Sequence, residues 1–169
     1  GILVKGGETL EVLAGQGEIV LDKTGTLTAG RTSVVAFHGD ESAQPLVAAL
    51  ESHSAHPIAQ ALLDAFGEMQ SAEGVGELRV AGIEETAGGG VSGVVDGRSV
   101  TIGSPAFVRL SGAEVLPDMR DAEQAIVRSS ATPVLVAVDG RCVAAVGLAD
   151  PIREDAESSL TDLRAVGCR

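Results

Sequence analysis

The stretch Glu18-Ile19-Val20-Leu21-Asp22-Lys23-Thr24-Gly25-Thr26-Leu27-Thr28 decides how the rest of the chain is read. The run Glu18–Leu21 predicts a short buried strand that ends at Asp22. Gly25 then allows the backbone to turn sharply. A carboxylate at a strand end, over a tight loop of Gly and Thr, is placed to act as a nucleophile. The loop's N–H and hydroxyl groups are suited to hold the oxygens of an incoming phosphoryl group. Asp followed by Thr and Gly is also ordinary turn chemistry, in which the aspartate merely caps the turn.

The full string DKTGTLT is more specific than Asp-x-Thr-Gly alone, and it resembles the phosphorylation signature of P-type ATPases. The resemblance implies that Asp22 is the catalytic residue, forming an aspartyl phosphate. It implies that Lys23, Thr24, Gly25 and Thr26 make the phosphate loop, and that Asp22 and Thr24 join a magnesium site in the complete protein. The preceding GILVKGGETLEVLA looks like the link between a membrane helix and that loop, so the chain is expected to start just after a membrane domain.

A chain of 169 residues can bury a real core, in one domain or two small ones. With three Phe and neither Tyr nor Trp, the core must be built from Val, Leu, Ile and Ala. No apolar run approaches the ~20 residues of a membrane helix, and no basic region opens the chain as in a signal peptide. The net charge of −12 argues against nucleic-acid partners and anionic membrane surfaces. Cys142 and Cys168 have no metal-type spacing, and such sparse usage fits a reducing cytosol. The only lysines, Lys5 and Lys23, do not follow a Gly, which excludes a Walker A loop.

In chain order, Glu8, Leu10, Glu11, Val12 and Leu13 suggest a short helix, stopped at Gly15 or Gly17. Ala29-Gly30 reads as a hinge and Ser33 to Phe37 as a strand. Asp40 or Ser42 caps a helix running to about Ser52. Pro57 opens a second helix, with Ile58, Ala61, Leu62, Ala65 and Phe66 as its buried stripe. Met69 to Gly76 reads as a loop. Leu78, Val80 and Ile83 then suggest a strand.

Gly88-Gly89-Gly90 with Gly93 formally spells G-x-G-x-x-G, but strand-like residues follow where a dinucleotide fold needs a helix. Asp96-Gly97 and Asp139-Gly140 are hairpin turns, the second joining strands Pro133–Val138 and Cys142–Leu148. Gly103-Ser104-Pro105 ends a strand and starts a helix through Phe107 and Leu110. A further helix spans Pro117 to Arg128. The last one covers Glu154 to Arg169, with Ala156, Leu160, Leu163 and Val166 as its apolar stripe, and stops at Gly167.

By itself, His56 reads as a capping or surface residue; a metal site with His53 lacks further ligands. Ser54-Ala55-His56-Pro57, however, matches the Ser-x-His-Pro signature of the heavy-metal-transporting P-type ATPases. The resemblance implies that His56 orients the adenine of ATP and that Glu51 contacts the base. It also implies that Gly88 and Gly90 let backbone approach the nucleotide. Gly103 matches a Gly-Asn pair of that pocket, but Ser104 replaces the Asn and loses the amide's reach. Ala149-Asp150-Pro151-Ile152-Arg153 resembles the return hinge to the phosphorylation domain.

The fold expected is α/β (α+β): an antiparallel sheet flanked by helices, with fragments of a Rossmann-like, haloacid-dehalogenase-type phosphorylation domain. Residues 1–30 and 148–169 belong to the phosphorylation domain and 31–147 to the nucleotide-binding domain. The function implied is that of the ATP-binding cytoplasmic portion of a heavy-metal pump. ATP and Mg2+ are its cofactors. Membrane and actuator domains of the same chain are its partners, with the metal ion held in the membrane part.

No Cys-x-x-Cys points to copper or zinc, and the magnesium-binding Gly-Asp-Gly-x-Asn-Asp run is missing. This chain alone is therefore expected to bind ATP weakly and not to phosphorylate itself. The alternatives are a haloacid-dehalogenase-like phosphatase or phosphotransferase, and a nucleotide-binding module without catalysis. Such phosphatases carry a second Asp two residues after the nucleophile. Thr24 stands there and cannot serve as a base near neutral pH.

Overall fold

The computed structural model describes residues 3–8, 11, 17–67 and 78–168, which fall into two compact units, 32–149 and 1–31 with 150–169. In the larger unit the strands are β1 (Ser33–Gly39), β2 (Val80–Thr86), β3 (Gly90–Val95), β4 (Arg98–Gly103), β5 (Thr132–Val138) and β6 (Arg141–Ala149). They form one antiparallel sheet in the order β1-β6-β5-β4-β3-β2. The helices are α1 (Gln44–Glu51), α2 (Pro57–Phe66), α3 (Pro105–Leu110) and α4 (Pro117–Arg128), with α5 (Ala156–Ala165) in the smaller unit.

The two hairpins form because Asp96 and Asp139 adopt φ of 47° and 51°, followed by Gly97 and Gly140 at 81° and 77°. This left-handed pair is the two-residue turn that matches strand twist. Helix α1 is preceded by a single turn, Glu41–Ala43, whose entry Asp40 caps by accepting the Ser42 N–H at 2.8 Å.

Strand β5 is buried on both faces. Val134, Val136 and Val138 join a core with Leu46, Val47, Leu50, Leu62 and Phe66 of α1 and α2. Leu135 and Ala137 join a second core with Val108, Met119 and Ile126 of α3 and α4. Each fully buried aliphatic side chain contributes roughly 1.5–3 kcal/mol. Phe37 and Phe66 meet edge to face, centroids 5.6 Å apart.

Strand β2 departs from simple alternation. Its pairing with β3 shifts between Ala81 and Glu84, where Gly82 adopts φ 59°. That bulge resets the facing of the strand and leaves Ile83 exposed.

In the smaller unit, the buried strand expected at Glu18–Leu21 does not form. These residues are exposed and make no strand, Val20 being 97% accessible. An apolar run becomes a buried strand only beside partner strands, and among the described residues none pairs with it. The order here comes from Leu27–Ala29 running against the return segment. Arg153 N–H donates to Leu27 O at 2.9 Å, Ala29 N–H to Pro151 O at 2.8 Å, and Thr28 bridges Ile152. Helix α5 is shorter than expected and ends before Val166, which is exposed. The helix expected over 8–13 falls largely, and the loop at 69–76 wholly, outside the described residues.

Candidate functional site

A cavity of about 650 Å³ opens at one end of the sheet in the 32–149 unit. Its walls are the β2–β3 turn, the end of β4, the start of β5 and the corner between α1 and α2. Glu51, His56, Gly88, Gly90 and Gly103 all line it, although they span half of that unit's sequence. This size and its mixed polar and apolar lining suit a small organic ligand.

Glu51 is the last residue of α1 and is 5% exposed. No described residue donates a hydrogen bond to its carboxyl. Burial, and then the negative charge of Glu85, pushes its pKa up to about 7. Glu85 lines the same cavity from β2.

His56 is the residue before α2, in extended conformation, with Pro57 at the first helical position. Its Nδ1 accepts the Ile58 N–H at 3.1 Å. That bond caps the helix and places the ring proton on Nε2, leaving Nε2–H as the donor. His56 therefore caps a helix and lines the cavity at once.

The hydroxyl of Ser54 accepts the His56 N–H at 3.3 Å and donates to Glu85 Oε1 at 3.0 Å. Ser-x-His-Pro is therefore a local turn tied to a distant strand. Sequence reasoning missed Glu85, because nothing in the chain signals that it meets a serine 31 positions earlier. His53 is exposed and does not line the cavity; its Nδ1 contacts Ser52 Oγ at 2.9 Å.

The three glycines differ in why they must be glycine. Gly88, at φ 70°, occupies the turn closed by Gly89 N–H to Thr86 O at 2.9 Å, and a Cβ there would meet nothing within 4 Å. Gly90 and Gly103 are paired across β3 and β4. A Cβ on Gly90 would strike the Ile102 carbonyl, and one on Gly103 the Gly89 carbonyl and the Phe107 ring. At these two positions neighbouring protein fills the space, whereas at Gly88 the positive φ favours glycine and the space beside it is open. Ser104 spends its hydroxyl on capping α3, accepting the Phe107 N–H at 3.3 Å, while lining the cavity.

In the smaller unit, Asp22 is exposed and extended, and its carboxylate caps nothing. Thr24 (φ −77°, ψ 121°) and Gly25 (φ 77°, ψ −7°) make a type II turn, which needs glycine at its second central position. Thr28 braces the turn, its N–H and Oγ1 lying 3.1 Å and 3.2 Å from Lys23 O. Among the described residues no cluster of three His, Cys, Asp or Glu exists. Asp22 and Thr24 alone do not build a magnesium site, for want of further carboxylates. No helix of the described residues is long and apolar enough to cross a membrane.

Comparison with known proteins places this geometry. The haloacid dehalogenase-like hydrolase family matches residues 19–169. The whole chain is 37% identical to Copper-transporting ATPase 2 of Rhizobium meliloti and 38% identical to the Manganese-exporting P-type ATPase of Mycobacterium tuberculosis. It spans only 20% and 24% of those relatives' length. A solved zinc-transporting PIB-type ATPase in the E2·Pi state superposes with a TM-score of 0.81 at 28% identity, over 99% of this chain and 27% of that one. The chain therefore belongs to the haloacid dehalogenase-like hydrolase family and matches, along its whole length, one segment of the metal-transporting P-type ATPases.

Proposed function

We propose that the cavity of the 32–149 unit binds ATP, and that Asp22 accepts its γ-phosphoryl group in an intact metal-ion pump. The observation that carries this reading is the convergence of Glu51, His56, Gly88, Gly90 and Gly103 on one cavity. Glu51 and His56 receive the base, and Gly88 lets the β2–β3 turn approach the nucleotide. Gly90 and Gly103 keep that turn seated on β4.

In the phosphoryl-transfer step an Asp22 carboxylate oxygen attacks the γ-phosphorus in line. The bond to the β–γ bridging oxygen breaks and ADP leaves. The type II turn presents Thr24 and Gly25 beside the nucleophile, and Thr24 in place of an acid gives this loop no base, which favours a long-lived phosphoenzyme. Asp22 and Thr24 would help to hold a magnesium ion, which would neutralise charge on the transferring phosphoryl group. In the whole protein this chemistry drives a heavy-metal ion across a membrane, with both units on the cytoplasmic side and the membrane and actuator domains as partners.

Calorimetric titration of ATP into the chain tests the reading. Saturable binding that His56→Ala abolishes or strongly weakens is the expected result. Binding untouched by that substitution places the nucleotide elsewhere and overturns the site.

A further inference from the structure

We infer that Glu51 meets the base as a neutral acid, that Glu85, held by Ser54, keeps it so, and that recognition of adenine is thereby gated by a proton. This rests on the cavity being a nucleotide site. The geometry supplies the starting point: a glutamate 5% exposed, lining the cavity, with no described residue donating a hydrogen bond to its carboxyl. An ionised carboxylate in that position receives no hydrogen bond from a described residue and depends on whatever fills the cavity. Glu85 makes ionisation harder, because a second negative charge lines the same cavity and Ser54 Oγ fixes it there at 3.0 Å.

The chemistry of the base turns this into selectivity. An ionised carboxylate offers only acceptors, whereas a neutral carboxyl offers one donor and one acceptor side by side. The edge of adenine presents an amino donor next to a ring-nitrogen acceptor. A neutral Glu51 pairs with both, but an ionised one pairs with the amino group and repels the ring nitrogen. Guanine's N1–H and amino group are two adjacent donors, and these suit the ionised form. ATP affinity therefore falls as Glu51 ionises, while GTP gains relative to ATP. The pKa of about 7 puts the change in the neutral range. His56, capping α2, is the third titratable group lining the cavity.

The test is calorimetric titration of ATP and GTP into the full chain from pH 6 to 8.5, in parallel with Glu51→Gln. The glutamine amide presents the neutral acid's donor and acceptor at every pH. Titration of the nucleotide phosphates is common to both proteins and cancels in their ratio. The unsubstituted chain is expected to bind ATP about tenfold more weakly at pH 8 than at pH 6 relative to Glu51→Gln, as the competent fraction falls. GTP should show no such loss. Carbon-13 NMR of the Glu51 carboxyl, in the unsubstituted chain and in Glu85→Gln, follows the titration without a folding risk at position 51. Its midpoint should drop in Glu85→Gln. A pH profile for ATP identical to that of Glu51→Gln, or a midpoint unmoved by Glu85→Gln, overturns the proton gate and leaves the nucleotide site standing. Absence of ATP binding at every pH overturns the site itself, and the gate with it.

Discussion

Thr28 and Asp150, 122 positions apart, are joined by a 2.5 Å hydrogen bond from Oγ1 to Oδ2. The same hydroxyl accepts the Gly25 N–H at 3.1 Å, and Asp150 Oδ1 accepts the N–H groups of Gly30 (2.9 Å) and Arg31 (3.2 Å). The turn beside Asp22 is therefore held by one carboxylate of the return segment, acting through one nearly buried hydroxyl. Asp150 thereby positions the loop beside Asp22.

Thr28→Val keeps the shape of the side chain and removes the hydroxyl. The Gly25 N–H and Asp150 Oδ2 are then left without this partner, at a cost of about 1–3 kcal/mol. Amide hydrogen exchange should accelerate at Gly25 and Gly30 and stay unchanged in β5, while Thr28→Ser should restore protection. Unaltered exchange at Gly25 in the valine variant would show that the bond does not hold the turn.

The glycines of the cavity should separate by mechanism. Gly90→Ala and Gly103→Ala drive a methyl into backbone across the β3–β4 pair, and should cost about 1–3 kcal/mol or more. Gly88→Ala meets open space and should cost only the ~1–2 kcal/mol of a left-handed alanine. Urea denaturation of the three variants gives the order. Equal destabilisation by all three would refute the distinction drawn from the cross-strand contacts.

Glu51 also sets a pH dependence of stability. Its folded pKa, about 7, lies above the unfolded value of 4.5, so the native state holds the proton more tightly. The stabilisation is complete below pH 4.5 and is lost as pH rises through 7. Between these limits this group should lower unfolding free energy by about 1.4 kcal/mol per pH unit. Glu51→Gln should remove that slope and be the more stable protein at pH 8. Denaturant midpoints at several pH values decide; parallel profiles for both proteins would mean that Glu51 titrates normally.

Some of this was legible in the chain and some was not, for physical reasons. Asp96-Gly97 and Asp139-Gly140 announced their hairpins because the two-residue turn requires positive φ at both positions. Helix α4 begins at Pro117 and ends at Arg128, as its periodicity and opening proline indicate. These signals are local. The strand at Glu18–Leu21 failed because burial needs neighbours that an apolar pattern cannot supply. The Ser54–Glu85 bond was invisible because only the folded sheet brings β2 to the α1–α2 corner. Gly90 was expected to let backbone approach the nucleotide and Gly103 to belong to the pocket; the cross-strand pair that demands glycine at both is not revealed by spacing alone.

His56 carries two roles that one substitution cannot separate. Its Nδ1 caps α2 through the Ile58 N–H, and its ring walls the cavity. His56→Ala removes both and should cost about 1 kcal/mol of stability as well as ATP binding. Asparagine is a strong helix cap but has no imidazole. His56→Asn should therefore recover the stability lost by alanine, within a few tenths of a kcal/mol, without recovering ATP affinity. Thermal denaturation and calorimetric titration on the same three proteins separate the two properties. Recovery of both by asparagine would mean that His56 serves the nucleotide only by fixing the start of α2. Recovery of stability alone would assign the imidazole, with its Nε2–H donor, to the ligand.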